Sequence, residues 1–214
     1  MIENEDQARA WIAALPEADS DALARLKKLA ALLAEENTRQ NLVSAASLDH
    51  VWQRHLADSA QLLRFVPRAE SSPWLDLGTG AGFPGLVIAA LRPECEVLMV
   101  ESRARRISWL QAACDELGLT RARVLGSRLE LVESREVCAI SARAFAPLDR
   151  LVSLAVRFST AQTHWLLPKG RSATQELEAL RGWQHLFHVE QSLTDHEAGV
   201  IVGQLLGKKG RKSS

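Results

Sequence analysis

The sequence predicts an α/β fold in which a doubly wound, mostly parallel sheet follows a helical N-terminal segment. In the first 70 residues, apolar side chains recur at helical spacing. From Trp74 onwards, short apolar runs of strand length alternate with amphipathic helical segments, an order that is typical of parallel sheets. With 214 residues, 47% of them hydrophobic, the chain is long enough to bury one sizeable core.

The N-terminal segment predicts two helices joined by an irregular link. The first contains Leu23, Leu26, Leu29, Ala30 and Leu33, with Ser20 or Asp21 as its candidate cap. The second is expected from Asp49 to Phe65 and is closed by Pro67, so the link covers Asn37 to Ala46. We therefore expect a helical cap over residues 1–70, a main domain over 71–207 and a basic tail over 208–214.

The main domain predicts seven strands, which read WLDLG, EVLMVE, ARVLGS, VCAISA, HWLLPKG, HLFHVEQSL and GVIVGQLLG in chain order. The helices between them begin at Pro84, cover Ile107–Leu117 before Gly118, and lie near residues 148–158 and 173–182. No helical pattern separates the last two strands, so we expect them to pair as an antiparallel hairpin.

Composition narrows the function classes. Lys plus Arg and Asp plus Glu number 26 each, but bases crowd residues 103–128 and the tail GKKGRKSS, which allows a local RNA-binding face on a neutral protein. A solvated, frayed end explains the tail equally well. The start MIENEDQARAW lacks the features of a signal peptide, and no apolar run is long enough to span a bilayer. We expect a cytoplasmic monomer without membrane contact.

The three cysteines, Cys95, Cys114 and Cys138, lie in apolar surroundings and lack C-x-x-C spacing. This pattern argues against a disulfide framework and against a zinc site. We expect three buried, inert thiols and no metal.

The strongest chemical motif is the glycine-rich turn DLGTGAGFPG, from Asp76 to Gly85. Its glycines allow backbone to approach a ligand at the carboxyl edge of the sheet. The spacing also fits the G-x-G-x-x-G pattern of dinucleotide-binding proteins. Asp76 suits the cationic amino group of S-adenosylmethionine and would repel a pyrophosphate, while Pro84 removes an amide that a phosphate would use. We therefore favour S-adenosylmethionine, contacted by Gly78, Gly80 and Asp76, over a dinucleotide.

Two further segments fit an adenosine. Glu101 closes the second strand, where a carboxylate can accept hydrogen bonds from both ribose hydroxyls, although both candidate cofactors carry that ribose. An exposed acid without a ligand is the alternative. After the third strand, Ser127 to Glu130 lies where an adenine would rest, and Leu129 could cover one of its faces.

The motifs together resemble the bacterial RsmG family, also called GidB. The resemblance rests on DLGTGAGFPG, VESRARRISWL, GSRLE, ISARAFAPL and LLPKG, preceded by ENTRQNLVSA and RHLADSAQLL, in the same order. It implies a Rossmann-like, seven-stranded class I methyltransferase fold with an antiparallel last strand and an N-terminal helical cap. It also implies methyl transfer from S-adenosylmethionine to N7 of a guanine in 16S rRNA, at position 527 of that RNA, in the small ribosomal subunit.

Carried over by position, the resemblance places Gly78 and Phe83 on the cofactor turn, Leu129 and Glu130 at the adenine and Arg143 at the cofactor. The family usually reads ISRAF where this chain has one extra residue, and Arg143 before Ala-Phe is the natural alignment. Arg143 could bind the cofactor carboxylate or an RNA phosphate, or pair with Asp76 or Glu101.

Bases near the same sheet edge are candidates for RNA contact. They are Arg103, Arg105, Arg106 and Lys169, with His55 on the cap as a further candidate that could equally be an interface histidine. No residue is assigned a certain catalytic role, and Arg105 and Arg143 are the candidates.

Guanine N7 carries a lone pair and no proton, so its methylation needs placement rather than a general base. The chain lacks the [ND]-P-P-[YFW] motif of amine methylases, and Cys138 is not in the setting of a C5 nucleophile. An NAD-dependent oxidoreductase is the alternative enzyme, but the chain has no tyrosine for a Tyr-x-x-x-Lys pair. A non-catalytic RNA-binding module is the other alternative.

Overall fold

The computed structural model describes residues 1–68 and 73–209, and its centre is a seven-stranded sheet. The strands are β1 (Trp74–Leu77), β2 (Val97–Glu101), β3 (Ala122–Gly126), β4 (Ala139–Ser141), β5 (His164–Lys169), β6 (Trp183–His185), β7 (His188–Gln191), β8 (Gly199–Gly203) and β9 (Leu205–Lys208). The sheet order is β3-β2-β1-β4-β5-β8-β7. Strands β1 to β5 are parallel, and β8 runs antiparallel to both β5 and β7. The predicted α/β class and the antiparallel last strand are confirmed.

The helices are α1 (Glu5–Ala13), α2 (Ser20–Asn37), α3 (Ala45–Leu48), α4 (Asp58–Ala60), α5 (Gly85–Leu91), α6 (Ala104–Glu116), α7 (Leu148–Ala155) and α8 (Ala173–Ala179). Helix α6 ends as predicted at Gly118, whose φ of 64° is the left-handed conformation that stops a helix. The two N-terminal helices predicted from periodicity are present, but their details differ.

The N-cap of helix α2 is Asp19, one residue before the first of the two predicted cap residues. The side chain of Asp19, rather than that of Ser20 or Asp21, accepts a 2.7 Å hydrogen bond from the backbone N–H of Ala22. Asp19 has the extended backbone that a cap requires, whereas Ser20 and Asp21 are already helical.

The second predicted helix, Asp49 to Phe65, consists of three successive types of helix rather than one regular α-helix. A π-helical turn over Trp52–Ala57 runs into α4, and a 3₁₀ turn over Gln61–Phe65 ends the segment. A π turn inserts one extra residue per turn, so it rotates the side chains that follow it relative to a regular α-helix. This rotation affects His55, which lies within the turn.

The predicted C-terminal hairpin is present, but each of its two long strands is broken. The inner parts, β7 and β8, pair within the main sheet, while β6 and β9 form a separate two-stranded sheet. The break in the last strand falls at Gly203, whose φ is 136°. A Cβ there would lie 2.4 Å from the carbonyl oxygen of Leu186. The close approach of these two segments of the hairpin therefore requires glycine.

Side chains alternate across the strands and form a core on each face of the sheet. One face buries Trp74 and Met99 against α5, α6 and the N-terminal helices, and the other buries Leu75 and Trp165 under α7 and α8. The three cysteines are buried, as predicted. Burial, with a smaller effect of neighbouring Asp115, raises the pKa of the Cys114 thiol to about 11.

The N-terminal cap shares one continuous core with the sheet, in which Ile12 and Leu29 belong to the same cluster as Ile88. A buried ion pair ties the two parts together. The guanidinium of Arg92, at the end of α5, lies 2.8 Å from the carboxylate of Glu17 and also donates to the carbonyls of Leu63 and Val66.

Two expectations fall partly outside the described residues. The predicted boundary between residues 70 and 71 lies in the segment 69–72, and most of the basic tail lies in 210–214. Within the described residues, no helix is both long and apolar enough to cross a membrane.

We predict that Glu17→Ala lowers the free energy of unfolding by about 3 kcal/mol, because it leaves the Arg92 guanidinium buried and unpaired. The two side chains are 5% and 6% exposed, so water cannot replace the lost partner. Urea unfolding followed by circular dichroism measures the change. Lys28→Ala is the control, because its pair with Glu116 is about half exposed and its loss should cost less than about 1 kcal/mol. Equal losses in both variants would contradict the prediction.

Candidate functional site

The glycine-rich turn follows β1 and leads into α5 at the carboxyl edge of the sheet. Gly78, Gly80 and Gly82 have φ values of 62°, 60° and 101°, a region that favours glycine. A Cβ on Gly78 would also lie 2.4 Å from the ring of Phe145, in the loop after β4. The turn therefore combines left-handed backbone with close packing, and at Gly78 both conditions exclude a side chain.

Asp76 lies beneath this turn and is completely buried. One carboxylate oxygen accepts a 2.7 Å hydrogen bond from Ser141, and the other accepts bonds from the Thr79 hydroxyl at 2.5 Å and the Gly85 backbone N–H at 3.0 Å. Burial raises the pKa of Asp76, against the three hydrogen bonds, which lower it. The expected direct contact of Asp76 with a cofactor amino group stays a prediction. The observed contacts assign it the task of shaping the turn.

Glu101 lies at the end of β2 and connects the turn to α6. Its carboxylate accepts hydrogen bonds from the backbone N–H groups of Gly80, Ser102 and Arg103, at 3.2, 2.7 and 2.9 Å. Arg106 approaches the same carboxylate to 3.9 Å. Glu101 is therefore a buried, hydrogen-bonded residue at the turn and not an exposed acid, and only 6% of its surface is exposed.

A cavity of about 370 Å³ opens beside the turn. Gly78 and Glu101 line one side of it, and Leu129 and Glu130, in a short 3₁₀ turn after β3, line the other. Leu129 is buried and Glu130 is exposed. The structure therefore brings together the residues that were predicted, on separate segments, to bind an adenosine.

A larger cavity of about 780 Å³ lies on the other side of the loop after β4. The cap contributes Arg54, His55 and Asp58, and the segment before β8 contributes Thr194 and Asp195. The two cavities share one wall, formed by Ala144, Phe145, Ala146 and Pro147. Ala144 holds a φ of 53°, which costs a non-glycine residue about 1 kcal/mol or more.

Arg143 precedes that wall, and the cap holds its guanidinium. Nη1 donates to the Asp58 carboxylate at 3.2 Å and to the Arg54 carbonyl at 3.3 Å, and Nη2 lies 3.2 Å from Nδ1 of His55. The guanidinium also lies 5.4 Å from the centre of the Phe83 ring. The expected alternative of an ion pair with Asp76 or Glu101 is wrong, because Asp58 is the partner observed.

Lys169 lines the larger cavity and contacts the wall at Ala146. Its ammonium donates to the Ala146 carbonyl at 3.0 Å and pairs with Glu176 at 2.8 Å, and the side chain is only 10% exposed. Glu176 also accepts a bond from the backbone N–H of Leu148, at the start of α7. This pair and its bonds hold the C-terminal end of the segment that separates the cavities.

The candidates for RNA contact therefore divide into two groups. Arg103 and Arg105 are exposed, and RNA contact by them stays a prediction. Arg106 and also Arg103 line the smaller cavity. Lys169 and His55 line the larger cavity and are at the same time hydrogen-bonded within the protein. Sequence reasoning did not identify Ser141, Glu176 or Phe145. Only the position of Phe145 in ARAFAP, next to Arg143, could have drawn attention to it.

Among residues 1–68 and 73–209, no group of three or more His, Cys, Asp or Glu side chains is arranged to hold a metal ion. Both cavities are lined by charged side chains of either sign, among them Glu101 and Arg106 at the smaller cavity and Asp58 and Arg143 at the larger one.

The chain is similar to known proteins of one family. Residues 22–198 match the family described as GidB, rRNA small subunit methyltransferase G. A protein of Erythrobacter litoralis named Ribosomal RNA small subunit methyltransferase G is 57% identical over 205 residues, which cover 95% of this chain and 98% of that protein. A protein of the same name from Novosphingobium aromaticivorans is 54% identical, covering 96% and 90%.

Among solved structures, a mutant of MtNAS in complex with S-adenosylmethionine superposes with a TM-score of 0.58, covering 95% of this chain and 84% of that one. The sequence identity is 13%, so this likeness concerns the fold.

We predict that Asp76→Ala lowers the free energy of unfolding by about 2–4 kcal/mol, because three buried donors lose their acceptor. Chemical unfolding in the absence of ligand measures this loss. Asp115→Ala, which removes an exposed carboxylate from α6, is the control and should change stability by less than about 0.5 kcal/mol. Unchanged stability of Asp76→Ala would show that the buried network does not hold the turn.

Proposed function

The chain belongs to the GidB family of rRNA small subunit methyltransferase G proteins, and we propose that it transfers a methyl group to N7 of a guanine in 16S rRNA. S-adenosylmethionine is the methyl donor. By family resemblance, the guanine is position 527 of that RNA, and the small ribosomal subunit is the partner. The observation that carries the proposal is the pair of cavities that meet at the wall Ala144–Pro147.

The smaller cavity fits the adenosine of the donor. Gly78 offers bare backbone where a Cβ would meet Phe145, Glu101 places a carboxylate at the strand end, and Leu129 supplies an apolar surface for a base. When bound, S-adenosylmethionine supplies a methyl group on a positively charged sulfur. Arg143 and Phe83 lie on the side of the turn that faces the cap, where the carboxylate end of the donor would find the guanidinium.

The larger cavity fits a nucleotide withdrawn from an RNA chain. Its volume of about 780 Å³ suits a group of this size, and it lies between the cap and the segment before β8. Enzymes that modify a base commonly take it out of its stack into such a pocket. Because guanine N7 carries no proton to remove, the residues here need only hold the base in line with the donor and exclude water.

The protonation state of His55 agrees with a reaction that needs no base. Burial, together with the nearby Arg143 and Arg54, lowers the pKa of His55 to about 3, so the ring is neutral throughout the physiological range. A group with this pKa is far too weak a base to take a proton at neutral pH. Orientation is therefore the contribution we assign to this part of the site.

We predict that the protein transfers labelled methyl groups from S-adenosylmethionine to small-subunit RNA that lacks the modification. Borohydride cleavage would place the label at guanine N7. Naked 16S rRNA and assembled particles are tested in parallel. Label at another atom, or label in no RNA from either source, would overturn the proposal and leave a binding module. Reduction of NAD by the protein in the presence of an alcohol substrate as hydride donor would favour the oxidoreductase.

The inactive control for that assay is Gly78→Val, which should lose S-adenosylmethionine binding because its side chain would strain the backbone and collide with Phe145. Gly118→Val is the matched control. Gly118 has a φ of 64°, close to the 62° of Gly78, but a Cβ there meets nothing within 4 Å. It therefore introduces the same backbone strain away from the site.

We predict that Arg105 and Arg106 serve different ligands. Arg106→Ala should weaken S-adenosylmethionine binding, because Arg106 lines the smaller cavity beside Glu101. Arg105→Ala should leave that affinity unchanged and raise the KM for RNA by roughly threefold to tenfold, because Arg105 is exposed. Calorimetry and steady-state kinetics measure the two effects. The exposed Arg121, changed to Ala, is the control. The reverse pattern would contradict the assignment.

A further inference from the structure

His55 is a histidine of the cap whose side chain points into the protein. It lies in the π-helical turn Trp52–Ala57, next to the exposed Arg54, and is itself only 6% exposed. Its ring stacks on that of Phe83, with centres 4.9 Å apart and planes inclined by 18°. The ring lines the larger cavity and does not extend from the outer surface of the cap.

The hydrogen bond between His55 and Arg143 has only one possible direction. A guanidinium has donors and no acceptor, so Nδ1 of His55 must accept from Nη2 of Arg143 across their 3.2 Å separation. Nδ1 therefore carries no proton, and the proton of the neutral ring is on Nε2. The lowered pKa of His55 supports the neutral form.

Within the described part of the chain, Nε2 of His55 is buried and has no hydrogen-bond partner. A buried donor without a partner costs about 1–3 kcal/mol. If the ring served only to pack on Phe83, a phenylalanine would do so without this cost. The useful atom of the imidazole is therefore Nδ1, and what it contacts is Arg143.

Within residues 1–68 and 73–209, the hydrogen bonds of the Arg143 guanidinium come from the cap. Asp58 and the Arg54 carbonyl bond to Nη1, and His55 bonds to Nη2. Among the residues that the structure describes, the hydrogen bonds of this guanidinium use Nη1 and Nη2 and not the Nε–H group. Two nitrogens held on one side fix the plane of the guanidinium, and a planar group must be fixed in this way to meet a carboxylate with good geometry.

We propose that His55 is a positioning residue whose Nδ1 fixes the guanidinium plane of Arg143 for binding the carboxylate of the methyl donor. The inference rests on the proposed function in one respect, namely that the donor is the ligand of Arg143. It makes the cap part of the donor site. It makes the affinity for the donor, rather than the affinity for RNA, the property that depends on the Nδ1 atom of His55.

Two substitutions of His55 separate its acceptor from its ring. In His55→Asn, the amide oxygen occupies the place of Nδ1, so the acceptor is kept and the ring is lost. In His55→Phe, the ring is kept and the acceptor is lost. We expect His55→Phe to bind S-adenosylmethionine about tenfold more weakly, since a hydrogen bond to a charged group is lost. We expect His55→Asn to stay within about threefold of the wild type. His50→Asn, at an exposed histidine of the cap, is the matched control.

Titration calorimetry with S-adenosylmethionine and no RNA measures these affinities, so the result does not depend on which base is methylated. Steady-state kinetics should then show a raised KM for the donor in His55→Phe and an unchanged KM for RNA. Weak binding by His55→Asn with normal binding by His55→Phe would overturn the inference in favour of ring packing. A raised KM for RNA alone would overturn it in favour of RNA contact.

A double-mutant cycle tests whether His55 acts through Arg143. In an Arg143→Ala background, His55→Phe should weaken donor binding no further. A further tenfold loss would overturn the inference, and so would normal binding by Arg143→Ala alone. If the wild-type protein itself failed to bind S-adenosylmethionine, the proposed function would fail instead.

A measurement on the unaltered His55 ring covers the case in which His55→Phe does not fold. Nitrogen NMR of ¹⁵N-histidine protein, with His55 assigned from the spectrum of His55→Asn, should show the proton on Nε2 and no titration between about pH 5 and 8. A proton on Nδ1, or titration in that range, would overturn the inference. In Arg143→Ala, the Nδ1 signal should shift, because its donor is gone.

Discussion

The buried carboxylate of Asp76 is the contact on which the geometry of the site depends. It joins three parts of the chain: β4 through Ser141, the glycine turn through Thr79, and the start of α5 through Gly85. The indole N–H of Trp74 donates to the same Ser141 hydroxyl at 2.9 Å and extends the network along β1. A buried carboxyl group whose hydrogen-bond partners all come from the surrounding chain favours one arrangement of those segments. The turn is consequently held in the position in which Gly78 lines the smaller cavity.

Polar contacts also fix the loop after β4, which forms the wall between the cavities. That loop carries the left-handed Ala144, a conformation that surrounding contacts must maintain. Lys169 holds it at Ala146, and Glu176 holds the start of the helix that follows. The cap holds it at the other end through the Arg143 guanidinium. Neither the sheet nor the cap alone would form this wall, so the two halves of the chain make one site.

The sequence predicted most of the fold because apolar alternation depends on burial alone. The runs WLDLG and EVLMVE became the central strands β1 and β2, and Gly118 ended α6 as expected. Local backbone geometry was harder to predict from the sequence. A π turn has no side-chain pattern of its own, so the inward direction of His55 could not be predicted. The roles of charged residues were missed for a related reason, since Arg143 and Asp58 are 85 positions apart and only the fold places them 3.2 Å from each other.

The polar residues of the site share a property that bears on the chemistry. Asp76 and Glu101 accept hydrogen bonds from the turn, and Lys169 donates to the backbone of the wall. His55 accepts from another side chain. Each group is engaged in placing some other part of the protein, and none of these contacts is arranged to pass a proton to a ligand. A site without a general acid or base suits the methylation of a lone pair. The barrier of that reaction is lowered by orientation and by excluding water rather than by acid or base catalysis. The buried polar groups therefore hold the glycine turn, the wall and the Arg143 guanidinium in fixed positions at the edge of a mostly apolar core.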